Sequence, residues 1–215
     1  MRIRLDTGLA ASLMMLVSTG AYCQTKYSFE TAEDFFAPAA NWSAWQDTLD
    51  RHHSELETIH QCVSDAEACT RRLKGLRHIL LNGRDLRLEQ QIRLVNRYIN
   101  RQRYEDDRVS SRSAAGNQWE TLTEFLHNGG DCEDFAVAKY FVLREFGVDA
   151  EDMRIVIGRE PQRATHHAML AIKLDDDVWL LENDNSIHRN GFQDINEFVY
   201  AINEQGIWDH EKKSD

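Results

Sequence analysis

In "NGGDCEDFAV", residues 128 to 137, a cysteine sits among three carboxylates, just after two glycines and before an apolar run. A thiol attacks carbonyl carbon as thiolate, and nearby negative charge opposes that form. Asp131 suits an N-cap, with Asp134 three residues on as its first-turn partner, which puts Cys132 at the first helical position. There the helix dipole and unpaired N–H groups favour a thiolate and could hold an oxyanion. Capping accounts for Asp131 and Asp134 but not for Glu133. The three carboxylates also suit a hard, oxygen-seeking cation. A thiol nucleophile needs a base and a group that orients it. "HHAMLAIKLDDDVWLLEND" offers both if it is a hairpin turning at Asp175 and Asp176, because that register sets His167 directly opposite Asp184. His166 would then face Asn185 on the reverse side, beside Ala168, Leu170 and Ile172, and reads as a core histidine.

Two other groupings compete for attention. His53, Glu57 and His60 in "HHSELETIH" fall within two helical turns, but without the HExxH spacing they read as a solvated helix face rather than a metal site. Cys62 and Cys69 in "CVSDAEAC" are near enough to close a small disulfide loop; the other reading is two buried thiols. Cys23 lies at the edge of a leader, so Cys132 is left unpaired in either case.

The elements that must position these residues change character halfway along the chain. "NWSAWQDTLDRHHSELETIHQC" carries Trp42, Trp45, Leu49, Leu56 and Ile59 at helical spacing. "DAEACTRRLKGLRHILLNGRD" and "LRLEQQIRLVNRYINRQRYED" read as two further helices, and "VSSRSAAGNQ" as a loop. "WETLTEFLHNGG" reads as a short helix stopped by glycine, and "DCEDFAVAKYFVLREFGVD" as one ended by Gly147. Then "MRIVIG", "HHAMLAIKL" and "VWLLEND" read as antiparallel strands, with "FQDINEFVYAINEQG" as a closing helix. A helical half followed by a small antiparallel sheet predicts an α+β domain over 41–210, with a helical N-terminal subdomain at about 41–105. Ahead of it lie a polar linker, 24–40, and residues 1–23, which have the basic, apolar and small-residue order of a secretory signal peptide. The apolar run "LAASLMMLV" is too short to span a bilayer. A net charge of -11 disfavours nucleic acid and anionic membranes as partners.

"GGDCEDFAVAKYFVLREFGV", followed by "HHAML" and "LLENDN", resembles the bacterial transglutaminase-like cysteine proteinases, and among them the periplasmic proteases that process adhesins. The resemblance runs from about Trp42 to Trp208. It implies a papain-like fold with Cys132 as nucleophile, His167 as general base and Asp184 as its orienter. It also implies Ca²⁺ held by Asp131, Glu133 and Asp134. The expected activity is a calcium-dependent periplasmic endopeptidase that cuts the N-terminal region of a large surface adhesin and promotes biofilm dispersal. The expected regulator is an inner-membrane cyclic-di-GMP receptor that sequesters the protease. The alternatives are acyl transfer to an amine, through the same thioester, and a catalytically silent calcium-binding scaffold.

Overall fold

A computed structural model describes residues 27–29, 33–105, 119–160, 165–191 and 197–210. The expected signal peptide and the "VSSRSAAGNQ" loop lie outside them. Among the described residues, five α-helices and a seven-stranded antiparallel sheet form the α+β architecture expected from the change of period.

Helix α1 (Ser43–Ser64) turns Trp45, Thr48, Leu49, His52, Ile59 and Cys62 inward, the one-sided stripe that a 3.6-residue period produces. A Cys62–Cys69 disulfide ties its end to the following turn, as one of the two cysteine readings expected. α2 (Lys74–Gly83) and α3 (Leu88–Ile99) follow; "DAEACTRR" stays outside the helix. α4 (Leu122–Asn128) starts on a capping box of Thr121 and Glu124 and stops at Gly129, whose φ of 77° an L side chain rarely adopts. α5 (Cys132–Glu145) is buried without a break from Asp134 to Leu143. A helix apolar all round must be covered all round, and α5 packs against α3 and α4 on one side and the sheet on the other.

The strands are β1 (Asp34–Pro38), β2 (Met153–Glu160), β3 (Thr165–Leu174), β4 (Asp177–Leu181), β5 (Ile187–Arg189), β6 (Glu197–Ile202) and β7 (Gly206–Asp209), in the order β1-β7-β6-β2-β3-β4-β5. One face of the sheet carries Ile155, Ile157, Ala168, Leu170 and Ile172 into the main core with the helices. The other carries Val156, Met169, Ala171 and Leu180 into a smaller cluster covered by Tyr27.

Two expectations fail here. Within the stretch read as a closing helix, of which 192–196 lie outside the described residues, "EFVYAI" forms strand β6, because β2 and β7 pair with it on either side. A register shift opposite Ile157 and Gly158 breaks its alternation, leaving Phe198, Ala201 and Ile202 buried at a spacing that mimics a helix. Residues 34–38, within the stretch read as linker, form an edge strand on β7.

Candidate active site

The two glycines before Cys132 set its position. Gly130 N–H donates to the Arg103 carbonyl at 3.3 Å and Gly130 O accepts from Glu105 N–H at 2.8 Å, so the turn into α5 is pinned to residues 103–105. Asp134 then closes a reciprocal cap with Asp131 and also accepts the Glu120 N–H at 2.7 Å. A Cβ at Gly130 would collide with the Asp134 carboxylate, so glycine there is a packing requirement. The cap expected for α5 is present, and Cys132 is its first helical residue.

The Cys132 Sγ, half-buried, donates to Glu133 Oε2 at 2.9 Å and receives the N–H of Ala168 on β3. Burial pushes the thiol pKa far up, and the Glu133 carboxylate pushes it further, by charge and by its hydrogen bond. The Ala168 N–H pulls the other way, and Asp131 adds a smaller upward push. Magnitudes explain the sign. A helix N-terminus is worth about 0.3–1 kcal/mol to an anion. A unit charge about 4 Å away contributes up to about 4 kcal/mol at an effective dielectric of 20, less with partial exposure. Burial and the carboxylates together therefore outweigh the dipole and hold the thiol pKa above its ordinary value.

Asp131, Cys132 and Glu133 bring ligand-capable atoms within 4.8 Å of one another, the grouping of that kind among the described residues. Two of the three supply carboxylate oxygens, which suits a hard cation. Asp134 differs from expectation: it is 3% exposed and its oxygens hold the backbone N–H groups of Glu120 and Asp131. His53, Glu57 and His60 lie on the exposed face of α1, and His60 meets Glu145 at 2.9 Å. Tyr200, stacked edge-on to Trp42, adjoins the thiol; burial first, then Glu133 and Cys132, push its phenol up to about 12.

On β3, His167 stands opposite Gly158 of β2 and immediately precedes Ala168, whose backbone N–H touches the thiol. The carboxylate that meets its ring is that of Glu182, with Nε2 to Oε2 at 2.6 Å. Asp184, the expected orienter, is exposed and accepts from the Ser186 N–H and hydroxyl at 2.8 and 2.5 Å, which hold its carboxyl below the usual range. The expected hairpin register is present, with Leu174 opposite Asp177 and Leu170 opposite Leu181. The ladder ends at Leu181, however, and the chain turns through Asn183 and Asp184 toward β5, so the position opposite His167 is never reached. Sequence reasoning passed over Glu182. Its signal was the "LLEN" step at a strand end, where a carboxylate two places diagonal on the same face is within reach of a histidine.

A thiol at a helix start, abutting a strand that carries a histidine paired to a carboxylate, is the arrangement of thiol-dependent acyl-transfer hydrolases. The family model described as bacterial transglutaminase-like cysteine proteinase matches residues 52–205, and the chain belongs to that family of cysteine proteases. Among solved structures the chain is similar to Legionella pneumophila LapG, at 24% identity and a TM-score of 0.58, covering 71% of this chain and 86% of that one. The calcium-bound form of the same protein gives 24%, 0.59, 74% and 90%, and an EGTA-treated form 24%, 0.60, 72% and 85%. These likenesses bear on the fold. No curated protein matches the chain.

Proposed function

We propose that this chain is a calcium-dependent endopeptidase whose nucleophile is Cys132, whose base is His167 and whose orienting carboxylate is Glu182 in place of the expected Asp184. The observation that carries this reading is the contact of the Cys132 thiol with β3 at Ala168, next to a histidine whose Nε2 is taken by Glu182. With Nε2 committed, proton traffic to and from the thiol runs through Nδ1. Cys132 Sγ bonds to the substrate carbonyl carbon as its proton passes to His167, and the N–H groups at the start of α5 stabilise the oxyanion. The C–N bond breaks as His167 returns that proton to the leaving amine. Water then attacks the thioester carbon, giving a proton to His167, and the C–S bond breaks to restore the thiol.

Asp131 and Glu133 are the residues that would hold Ca²⁺, with Asp134 shaping the site through the cap. Ca²⁺ bound there would offset the carboxylate charge that opposes the thiolate. Support for calcium comes from this oxygen-donor grouping and from LapG having been obtained both calcium-bound and EGTA-treated. We place the protein in the periplasm, released from the signal peptide at 1–23. Its proposed substrate is the N-terminal region of a large surface adhesin, and its regulator an inner-membrane cyclic-di-GMP receptor. The test is incubation of wild type and Cys132→Ser with such an adhesin region, with products read by mass spectrometry. A discrete cut by wild type alone is the expected result. Cross-linking to an added amine without hydrolysis would replace protease with acyltransferase.

A further inference from the structure

Lys139 is the one charged residue in the buried run of α5 from Phe135 to Leu143. It is 1% exposed, with its Nζ 6.0 Å from the centroid of the Phe135 ring, where a leucine or methionine would serve the core at lower cost. An ammonium taken from water costs several kcal/mol in a real protein, so its retention calls for a local demand. That demand is visible in the Glu182 main chain. The Glu182 carbonyl accepts two hydrogen bonds, from Lys139 Nζ and from Asn100 Nδ2, each at 2.7 Å. Asn96 Nδ2 donates to the Asn185 carbonyl at 3.1 Å, holding the far side of the same turn. Glu182 itself is 3% exposed, and its Oε1 is buried without a partner. Its charge is thus served by the His167 ring on Oε2 and by the ammonium beneath it.

Resting on the reading of Cys132 and His167 as nucleophile and base, we propose that Lys139 is a positioning residue for catalysis. With Asn100 it fixes the Glu182 backbone so that the carboxylate meets His167, and its ammonium sets a positive charge near that buried carboxylate. A neutral imidazole is the form that accepts the thiol proton. Without Lys139, the buried Glu182 charge would be balanced by protonating His167, which would then be a poor base at neutral pH. Burial lowers the Lys139 amine to about 7, and Glu182 and Asp184 pull it upward. The charged groups facing Lys139 are thus those two carboxylates from the turn after β4; α3 contributes the uncharged Asn100, and β3 acts on it through His167 and Glu182.

The test uses the mature chain labelled with ¹⁵N-histidine, with the His167 ring signals assigned by His167→Gln and titrated by NMR, alongside kcat and KM. Lys139→Met is expected to move the His167 midpoint upward by about one pH unit and to lower kcat roughly tenfold with KM held within about twofold. In a Glu182→Gln background the same substitution is expected to move the midpoint no further, since the coupling runs through Glu182. An unmoved midpoint, or an equal shift in both backgrounds, overturns the proposal. If Lys139→Met does not fold, Asn100→Ala decides: it keeps the charge and removes one donor, so kcat falls while the midpoint stays, and an unchanged kcat overturns the clamp. The titrations need no substrate. Failure of the wild type to cleave would sink the protease reading and the catalytic role with it, whereas an unmoved His167 midpoint in a chain that does cleave would sink this proposal alone.

Discussion

Cys132 has unlike neighbours pulling on one proton: the α5 N-terminus and the Ala168 N–H favour the thiolate, while burial, Glu133 and Asp131 oppose it. The opposition is stronger, so alkylation of Cys132 by iodoacetamide at pH 7 should be slow in chelated protein and at least about tenfold faster with calcium, a compensation of roughly 1.4 kcal/mol. Equal rates would show that the carboxylates do not control the thiol. The second residue-scale expectation concerns the histidine. Glu182→Gln removes the charge on His167 Nε2 and should lower kcat/KM by about a hundredfold or more, as loss of an orienting carboxylate does elsewhere. Asp184→Asn, which disturbs a bond between the exposed Asp184 and Ser186, should lower it by less than about threefold. The reverse order would restore Asp184 as orienter. The α5 cap and the helix start at Cys132 were legible because motif and spacing are local. The contact between His167 and Glu182 was not, because which of two carboxylates two residues apart meets the ring depends on where a ladder stops, and that is decided by tertiary packing rather than by the hairpin's own pattern.

At the scale of elements, α5 and β3 carry the site, and each is legible for a different reason. α5 announces itself by two glycines, a cap and an unbroken apolar run; its start at Cys132 followed from the capping pair alone. β3 and β4 announce themselves by β-branched alternation and a two-residue turn at Asp175 and Asp176. β6 was misread because one extra residue in a strand converts an alternating pattern into a helical one, and only its neighbours β2 and β7 reveal it. The glycine turn into α5 yields an element-scale expectation. Gly130→Ala forces Asp134 away, releasing the N–H groups of Glu120 and Asp131 and costing about 1 kcal/mol or more of stability, the scale of a lost cap. Thermal melting should show a lower Tm, and the displaced helix start should reduce kcat as well. An unchanged Tm would mean that the turn tolerates a side chain there.

For the molecule as a whole, the helices and the sheet share one core, and a disulfide braces the α1 end. Replacing both Cys62 and Cys69 by alanine should cost about 2–3 kcal/mol, the loop-closure value for so short a loop, read as a lower Tm. Calcium is expected to act on stability and chemistry together, because Asp131 and Glu133 flank Cys132, the proposed nucleophile, and Asp131 also caps the central helix. The most direct measurement follows Tm and cleavage of the adhesin region in the same samples as calcium is titrated against EGTA, for wild type and Cys132→Ser. The expected result is that wild-type Tm and cleavage rate fall together under chelation and return together with calcium, while Cys132→Ser keeps the Tm response and cuts nothing. Full cleavage under tight chelation, or cleavage by Cys132→Ser, would contradict the account.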